Sequence, residues 1–292
     1  RPFAMMVGFP GPHCPYDPSP EYADLYRPED MPKPYPIGPD QPESFIKGNV
    51  QGNLGTWNGV DYTEFTDEHK AKIRGHYAGL VKGIDDKVGK IIDSLKATDK
   101  WNNTIVIFCS DHGDYLGDHG LIGKGAYYES STKVPLIVRH PAMSESIVHE
   151  SPATVMDITA TLLHFGGCEV PGYMDSRPLA DLGVDGSESR KQVYGFVTGG
   201  SMSYDGTWKL ARYATGYGAL FNVDDDPAEQ NNRIYDPDCQ EIRDRLDSEL
   251  NAHMIRSINL ANAEKNHQTS WEDPLYCAGE SQWNRVYPQP IS

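Results

Sequence analysis

No stretch of this 292-residue sequence approaches the roughly 18 apolar residues in a row that a membrane-crossing helix needs, so a span within these residues is excluded. Positive charge is scarce as well. Lys and Arg number 26 against 42 Asp and Glu, a formal charge of −16, so the average surface repels nucleic-acid backbones and anionic lipid. An anionic substrate would have to meet a local positive focus made by a metal, Lys, Arg or His. Cysteine is sparse and odd in number. Cys14, Cys109, Cys168, Cys239 and Cys277 are scattered without CxxC spacing, which excludes a dense disulfide framework or a zinc cluster of that kind. Cytoplasmic and exported locations both stay open. The N-terminus lacks the basic, apolar and small-residue order of a signal peptide, and it opens on Arg1. RPFAMMVGFPGPHCPYDP reads instead as an apolar strand entering a Pro-rich loop, as though the chain began inside a domain.

What is present describes a soluble globular chain, because 38% hydrophobic, 10% aromatic and 23% charged residues suit a packed core under a charged surface. The length suits two unequal domains. Residues 3 to 9, FAMMVGF, are expected to form a strand buried on both faces that delivers Pro12-His13-Cys14-Pro15 to a loop. From about Asp17 to Tyr62 the sequence is rich in Pro, Gly, Asp and Tyr without a period, which predicts a long surface excursion without regular elements.

Between Thr66 and Ala97, apolar residues recur at three- and four-residue steps (Ile73, Tyr77, Leu80, Val81, Ile84, Val88, Ile91, Ile92, Leu95), predicting an amphipathic helix opened by Thr66 and His69. Thr104 to Cys109 and Val134 to Val138 read as buried strands, and Asp157 to Phe165 as a short helix closed by Gly166-Gly167. Helix, tight connection and buried strand indicate an α/β sheet layered by helices. Beyond about Leu182 the texture changes. Gln192 to Val197, Trp208 to Tyr213 and Ala219 to Val223 predict a small antiparallel sheet, Cys239 to His253 a helix, and the rest an irregular polar tail. The expected boundary lies near residue 185, giving domains 1–185 and 186–292.

Reactive side chains crowd into Ser110-Asp111-His112-Gly113-Asp114-Tyr115-Leu116-Gly117-Asp118-His119-Gly120, at the end of a buried strand, where α/β sheets bind ligands. Asp111 and His112 offer an oxygen and an imidazole nitrogen to one divalent cation if the backbone turns sharply, which Gly113 permits. An Asp-His pair in a loop also serves as a cap or a solvated turn. Lys124, between Gly123 and Gly125, is placed to reach an oxyanion, although a surface lysine reads the same way.

The string SDHGDYLGDHGLIGKGAYYESSTKVPLIV resembles the C-terminal signature of the sulfatase family and of the related phosphonate monoester hydrolases, within the alkaline phosphatase superfamily. The opening Pro-His-Cys-Pro-Tyr and the late LFNVDDDPAEQNN resemble further family segments, in the family's order, from residue 2 to residue 232. The resemblance implies an alkaline-phosphatase-like α/β fold: a large mixed sheet flanked by helices, incomplete at its N-terminus, plus a small C-terminal antiparallel sheet with a helix. It implies Asp111 and His112 as ligands of one divalent metal, calcium in most sulfatases and manganese or another transition metal in some phosphonate hydrolases. Lys124 and His13 would contact the ester from two sides. Asp118 and His119 would support the site or serve only as structural hydrogen-bonding groups.

The family's nucleophile does not follow. Sulfatases use a formylglycine made from Cys or Ser in a Cys-x-Pro-x-Arg motif, and none of the five cysteines here sits in one. The early Asp-Asp metal pair is also absent. The expectation is therefore a C-terminal sulfatase portion, inactive alone, whose formylglycine, neighbouring Arg and remaining carboxylates come from a preceding N-terminal segment of the same fold. A small-molecule or carbohydrate sulfate ester is the expected substrate. Tyr204, Trp208, Tyr213 and Tyr217 could stack on it or simply pack the small sheet. Two alternatives stand beside this: phosphonate or phosphate ester hydrolysis on the same fold, and a non-catalytic metal-binding module.

Overall fold

A computed structural model describes residues 2–55, 59–143, 145–180, 182, 189–197 and 199–266. The backbone gathers into two compact units, Arg1–Ser146 with Asp224–Asn232, and Ile147–Val223 with Arg233–Ser292. The boundary expected near residue 185 falls outside the described residues.

In the first unit the chain forms α1 (Pro20–Ala23), a 3-10 turn at Pro28–Asp30, α2 (Glu43–Leu54), α3 (Asp67–Ala97), β1 (Val106–Cys109), α4 (Glu129–Thr132) and β2 (Leu136–Arg139). The long helix α3 starts as its sequence predicts. Thr66 Oγ1 accepts from the His69 amide and His69 Nδ1 accepts from the Thr66 amide, a reciprocal cap that satisfies two otherwise unpaired N–H groups. Gly75 and Gly79 let the preceding segment lie directly on the helix. A Cβ at these positions would stand 2.6 Å from the Tyr26 carbonyl oxygen and 2.5 Å from that of Tyr22.

β1 and β2 pair antiparallel, with Val106 opposite Arg139 and Cys109 opposite Leu136. Arg139 locks the start of the ladder: its guanidinium lies 4.2 Å from the centre of the Trp101 ring and donates to the Thr104 carbonyl at 2.8 Å. Three expectations need correction here. Residues 3 to 9 form no strand, and residues 3 to 8 are open to solvent, Met6 at 96% exposure, because among the described residues no neighbouring strand pairs with them. The two strands that do form are not buried on both faces, since Ile137 is 62% exposed and Cys109 is exposed at the strand end. The stretch from Asp17 to Tyr62 is not free of regular structure, for it contains α1 and the three turns of α2.

In the second unit, α5 (Asp157–Phe165) begins on a buried carboxylate. Asp157 accepts from the amides of Thr154 and Arg177, at 3.1 and 2.9 Å, and from Arg190 Nε at 2.7 Å. Strands β3 (Val193–Val197), β4 (Gly200–Tyr204), β5 (Trp208–Tyr213) and β6 (Gly218–Asn222) form an antiparallel meander in sequence order. α6 (Gln240–Asn266) packs on it, extending well past the expected His253. Leu210, Leu220, Ile234, Cys239 and Leu246 make the buried core between sheet and helix, with Trp208 and Ile242 at its margin. The tail expected to be irregular beyond His253 is instead helical as far as Asn266, and residues 267–292 lie outside the described residues. Among the described residues no helix is long and apolar enough to cross a membrane.

Candidate functional site

β1 ends at Cys109 and presents Ser110, Asp111 and His112 at its C-terminal end. The turn is tied within itself. Ser110 Oγ donates to the His112 carbonyl at 2.9 Å, and the His112 amide donates to Asp111 Oδ1 at 2.9 Å. Gly113 is a steric requirement, because a Cβ there would stand 2.1 Å from the Ser130 carbonyl oxygen. Its amide donates to the Ser131 carbonyl at 2.8 Å, fixing the turn against the segment that leads into β2.

His112 Nδ1 lies 2.8 Å from the Gly113 carbonyl oxygen. A carbonyl only accepts, so Nδ1 carries a proton and Nε2 of the neutral ring presents a lone pair. That Nε2 stands 3.5 Å from Asp111 Oδ2. Donors about 2.1–2.4 Å from one cation and at right angles lie roughly 3 Å apart, so the spacing suits two neighbouring ligands of one ion. Burial pushes the Asp111 carboxyl up, but the His112 amide, the positive charge of that ring when it is protonated and the Ser110 hydroxyl outweigh it and hold the group below the usual carboxylate range. Two donors do not make a calcium site, which takes six to eight oxygens. Among the described residues no three His, Cys, Asp or Glu side chains converge as a metal site.

The second pair meets across the fold. Lys124 Nζ is 2.7 Å from His13 Nε2, and His13 Nδ1 is 2.8 Å from the Cys14 carbonyl oxygen. The same tautomer argument puts the proton of neutral His13 on Nδ1 and leaves Nε2 to accept from the lysine ammonium. The loop under Lys124 is held by α2. Asn49 Oδ1 accepts from the Ile122 amide at 2.9 Å, Asn49 Nδ2 reaches the Lys124 carbonyl at 3.4 Å, and Asn53 Nδ2 reaches the Ile122 carbonyl at 3.3 Å. Tyr62 donates its hydroxyl to Asn49, and burial pushes that hydroxyl's pKa up to about 12. Tyr77 on α3 is raised first by burial and then by the carboxylates of Asp114 and Asp111, so both carboxylates act on one ring.

Asp118 and His119 turn inward. Asp118 Oδ1 pairs with Arg74 of α3 and accepts from the Tyr35 amide at 2.9 Å, while Oδ2 accepts from Ser130 Oγ at 2.6 Å. His119 is buried and stacks on Tyr128, ring centres 3.7 Å apart, and its carbonyl accepts from Gln41 at 3.0 Å. The structure thus brings His13 to Lys124 and Asp111 to His112, and it turns Asp118 toward Arg74 and Ser130 and His119 onto Tyr128. Sequence reading missed Asn49, Asn53 and Tyr16. Nothing in an aperiodic Pro- and Gly-rich stretch marks a particular Asn as a loop clamp.

Residues 1–168 match the family model described as Sulfatase, and residues 117–256 match the one described as N-sulphoglucosamine sulphohydrolase, C-terminal. The chain belongs to the sulfatase family. It is 31% identical over 203 residues to the multifunctional alkaline phosphatase superfamily protein PehA of Trinickia caryophylli, covering 65% of this chain and 39% of that protein. It is 30% identical over 253 residues to the choline-sulfatase of Rhizobium meliloti (strain 1021), covering 81% of this chain and 47% of that enzyme. The chain therefore spans about half, or less, of the length of these relatives. Among solved structures, the phosphonate monoester hydrolase SpPMH from Silicibacter pomeroyi matches with a TM-score of 0.69 at 24% identity, covering 84% of this chain and 54% of that one. The likeness is one of fold, and the sulfatase chain has the alkaline-phosphatase-like α/β class expected from its sequence.

Proposed function

We propose that this chain carries one half of the active site of a sulfuric ester hydrolase, with Lys124 and His13 holding the ester oxygens. The contact of 2.7 Å between Lys124 Nζ and His13 Nε2 carries the reading, because it builds a local positive focus in a chain of formal charge −16. A sulfate monoester entering there offers anionic oxygens to the ammonium. Once Lys124 donates to the ester, His13 Nε2 is released from it, takes up a proton and can hand it to the bridging oxygen as the alcohol departs. Asp111 Oδ2 and His112 Nε2 would supply two donors to a divalent cation, calcium by preference, whose other ligands lie in polypeptide beyond these residues. Such an ion contributes Lewis-acid polarisation of a non-bridging oxygen. The nucleophile of this reading is a formylglycine that also lies beyond these residues, since no Cys-x-Pro-x-Arg motif occurs among them. On this reading the isolated chain does not turn over. The substrate is a small-molecule or carbohydrate sulfate ester.

A second reading, phosphonate or phosphate ester hydrolysis, uses the same residues, since phosphoryl and sulfuryl groups are similar tetrahedral anions. Initial rates of the full-length protein on 4-nitrophenyl sulfate and on a 4-nitrophenyl phosphonate monoester separate the two. The expected result is faster sulfate hydrolysis, falling about 100-fold or more in K124A and in H13A. Faster phosphonate cleavage transfers the assignment to the second reading. Hydrolysis of neither ester, with divalent-metal binding retained, identifies a binding module and overturns both.

A further inference from the structure

The two loops that carry His13 and Lys124 share one anchor. Asp114 Oδ1 accepts from the Gly123 amide at 2.9 Å and from the Leu116 amide at 3.0 Å, while Oδ2 accepts from the Tyr16 hydroxyl at 2.8 Å. Gly123 directly precedes Lys124, Tyr16 lies three residues after His13, and Asp114 lies two residues after His112. Tyr16 is itself fixed to α3. Its carbonyl accepts from His76 Nδ1 at 2.9 Å and its ring lies 6.4 Å from that of Tyr77. The Gly123 carbonyl closes the loop by accepting from the Tyr115 amide at 2.8 Å.

We infer that Asp114 is a positioning residue that sets the spacing of His13 and Lys124, holding both loops to the Asp111–His112 turn. The inference rests on the reading in which those two side chains bind the ester together. The three hydrogen bonds that Asp114 accepts all come from loop groups, so the carboxylate acts through its geometry. Burial raises the Tyr16 hydroxyl, with the Asp114 charge adding to it, so the phenol stays a donor throughout the working range.

The test uses the full-length protein and two readouts. The first is the change in the His13 ring signals by NMR at one fixed pH when Lys124 is replaced by Met. In the parent protein K124M should move those signals, because Lys124 Nζ lies 2.7 Å from His13 Nε2. In Y16F and in D114A, the same lysine change should move them by less than about a third as much, because the loops no longer hold the pair together. Y16F removes only the link to the His13 loop and keeps the bonds that Asp114 makes to the Lys124 loop, so it remains informative if D114A fails to fold. The second readout is kcat/KM on the better ester. D114A should lose about 100-fold, as misplacement by about 1 Å does, and Y16F about tenfold. D114N should stay within about fivefold of the wild type, since its oxygen still accepts from both amides and its Nδ2 can donate to the Tyr16 oxygen. Undiminished coupling between Lys124 and His13 in Y16F, or D114N as deficient as D114A, overturns the inference. If no ester is hydrolysed, the hydrolase reading fails, while the NMR coupling still decides the role of Asp114.

Discussion

Asp118 offers the sharpest test of whether the second Asp-His pair is scaffold or chemistry. Replacing it with Ala removes the partner of Arg74, the acceptor of the Tyr35 amide and the acceptor of Ser130 Oγ together. Both charged side chains are only 12% exposed, so solvent replaces little of what is lost. Arg74 keeps one bond, from Nε to the Leu116 carbonyl at 3.0 Å. Breaking a buried pair from one side costs roughly 3–5 kcal/mol, and the residual exposure and surviving bond favour the lower end, about 3 kcal/mol. With a urea dependence of about 2 kcal/mol per molar, the midpoint of unfolding should fall by about 1.5 M. Combining D118A with R74M should recover part of that loss, because no unpaired guanidinium then remains. A D118A midpoint within about 0.3 M of the wild type, accompanied by loss of hydrolysis, would make Asp118 a participant in the reaction and refute the scaffold argument.

G113A should reduce kcat/KM by about 100-fold or more, because its Cβ collides with the Ser130 carbonyl and must displace Asp111 and His112; steady-state kinetics on the full-length protein checks this. L246A should destabilise the second unit by about 2–5 kcal/mol, since Leu246 is fully buried in the core under α6, and thermal or urea unfolding reads it directly. Asp205 should govern part of the acid limb of stability. Burial raises its carboxyl, but the amides of Trp208 and Thr207 and the Arg245 guanidinium outweigh that and depress it. A depressed carboxyl stabilises the fold above its unfolded value near pH 3.9, and the contribution disappears as pH falls through the lower folded value. D205N should therefore be less stable than the wild type at neutral pH and converge with it near pH 2; a constant difference across that range would contradict the argument.

The parts of the fold that were legible are those whose pattern is local. α3 shows its period over thirty-one residues and carries its cap in Thr66 and His69. β3, β5 and β6 announce themselves by aromatic and β-branched residues between turns, whereas β4, Gly-Ser-Met-Ser-Tyr, does not, because its small residues are selected by the neighbours it is sandwiched between. α2 was hidden for a similar reason. Two Gly and two Asn in twelve residues lower its helix propensity, and the asparagines are there to clamp the Lys124 loop. Residues 3 to 9 misled in the opposite direction, since an apolar run predicts a strand only when a partner strand exists to pair with it. At the candidate site, the motif resemblance singled out His13, Lys124, Asp111 and His112, which the structure brings together in two pairs. The hydrogen bonds that hold their loops join residues distant in sequence, which no local pattern marks.

Gly75 and Gly79 leave two successive turns of α3 bare on one side, and the carbonyls of Tyr26 and Tyr22 settle into those gaps. The helix thus works as a notched rail that sets where the segment between residues 18 and 28, with α1 inside it, runs along it. A methyl group at either notch would lift the segment off the rail. Because Tyr16 sits just upstream of that segment, the disturbance should travel to the His13 loop without any change in a reacting side chain.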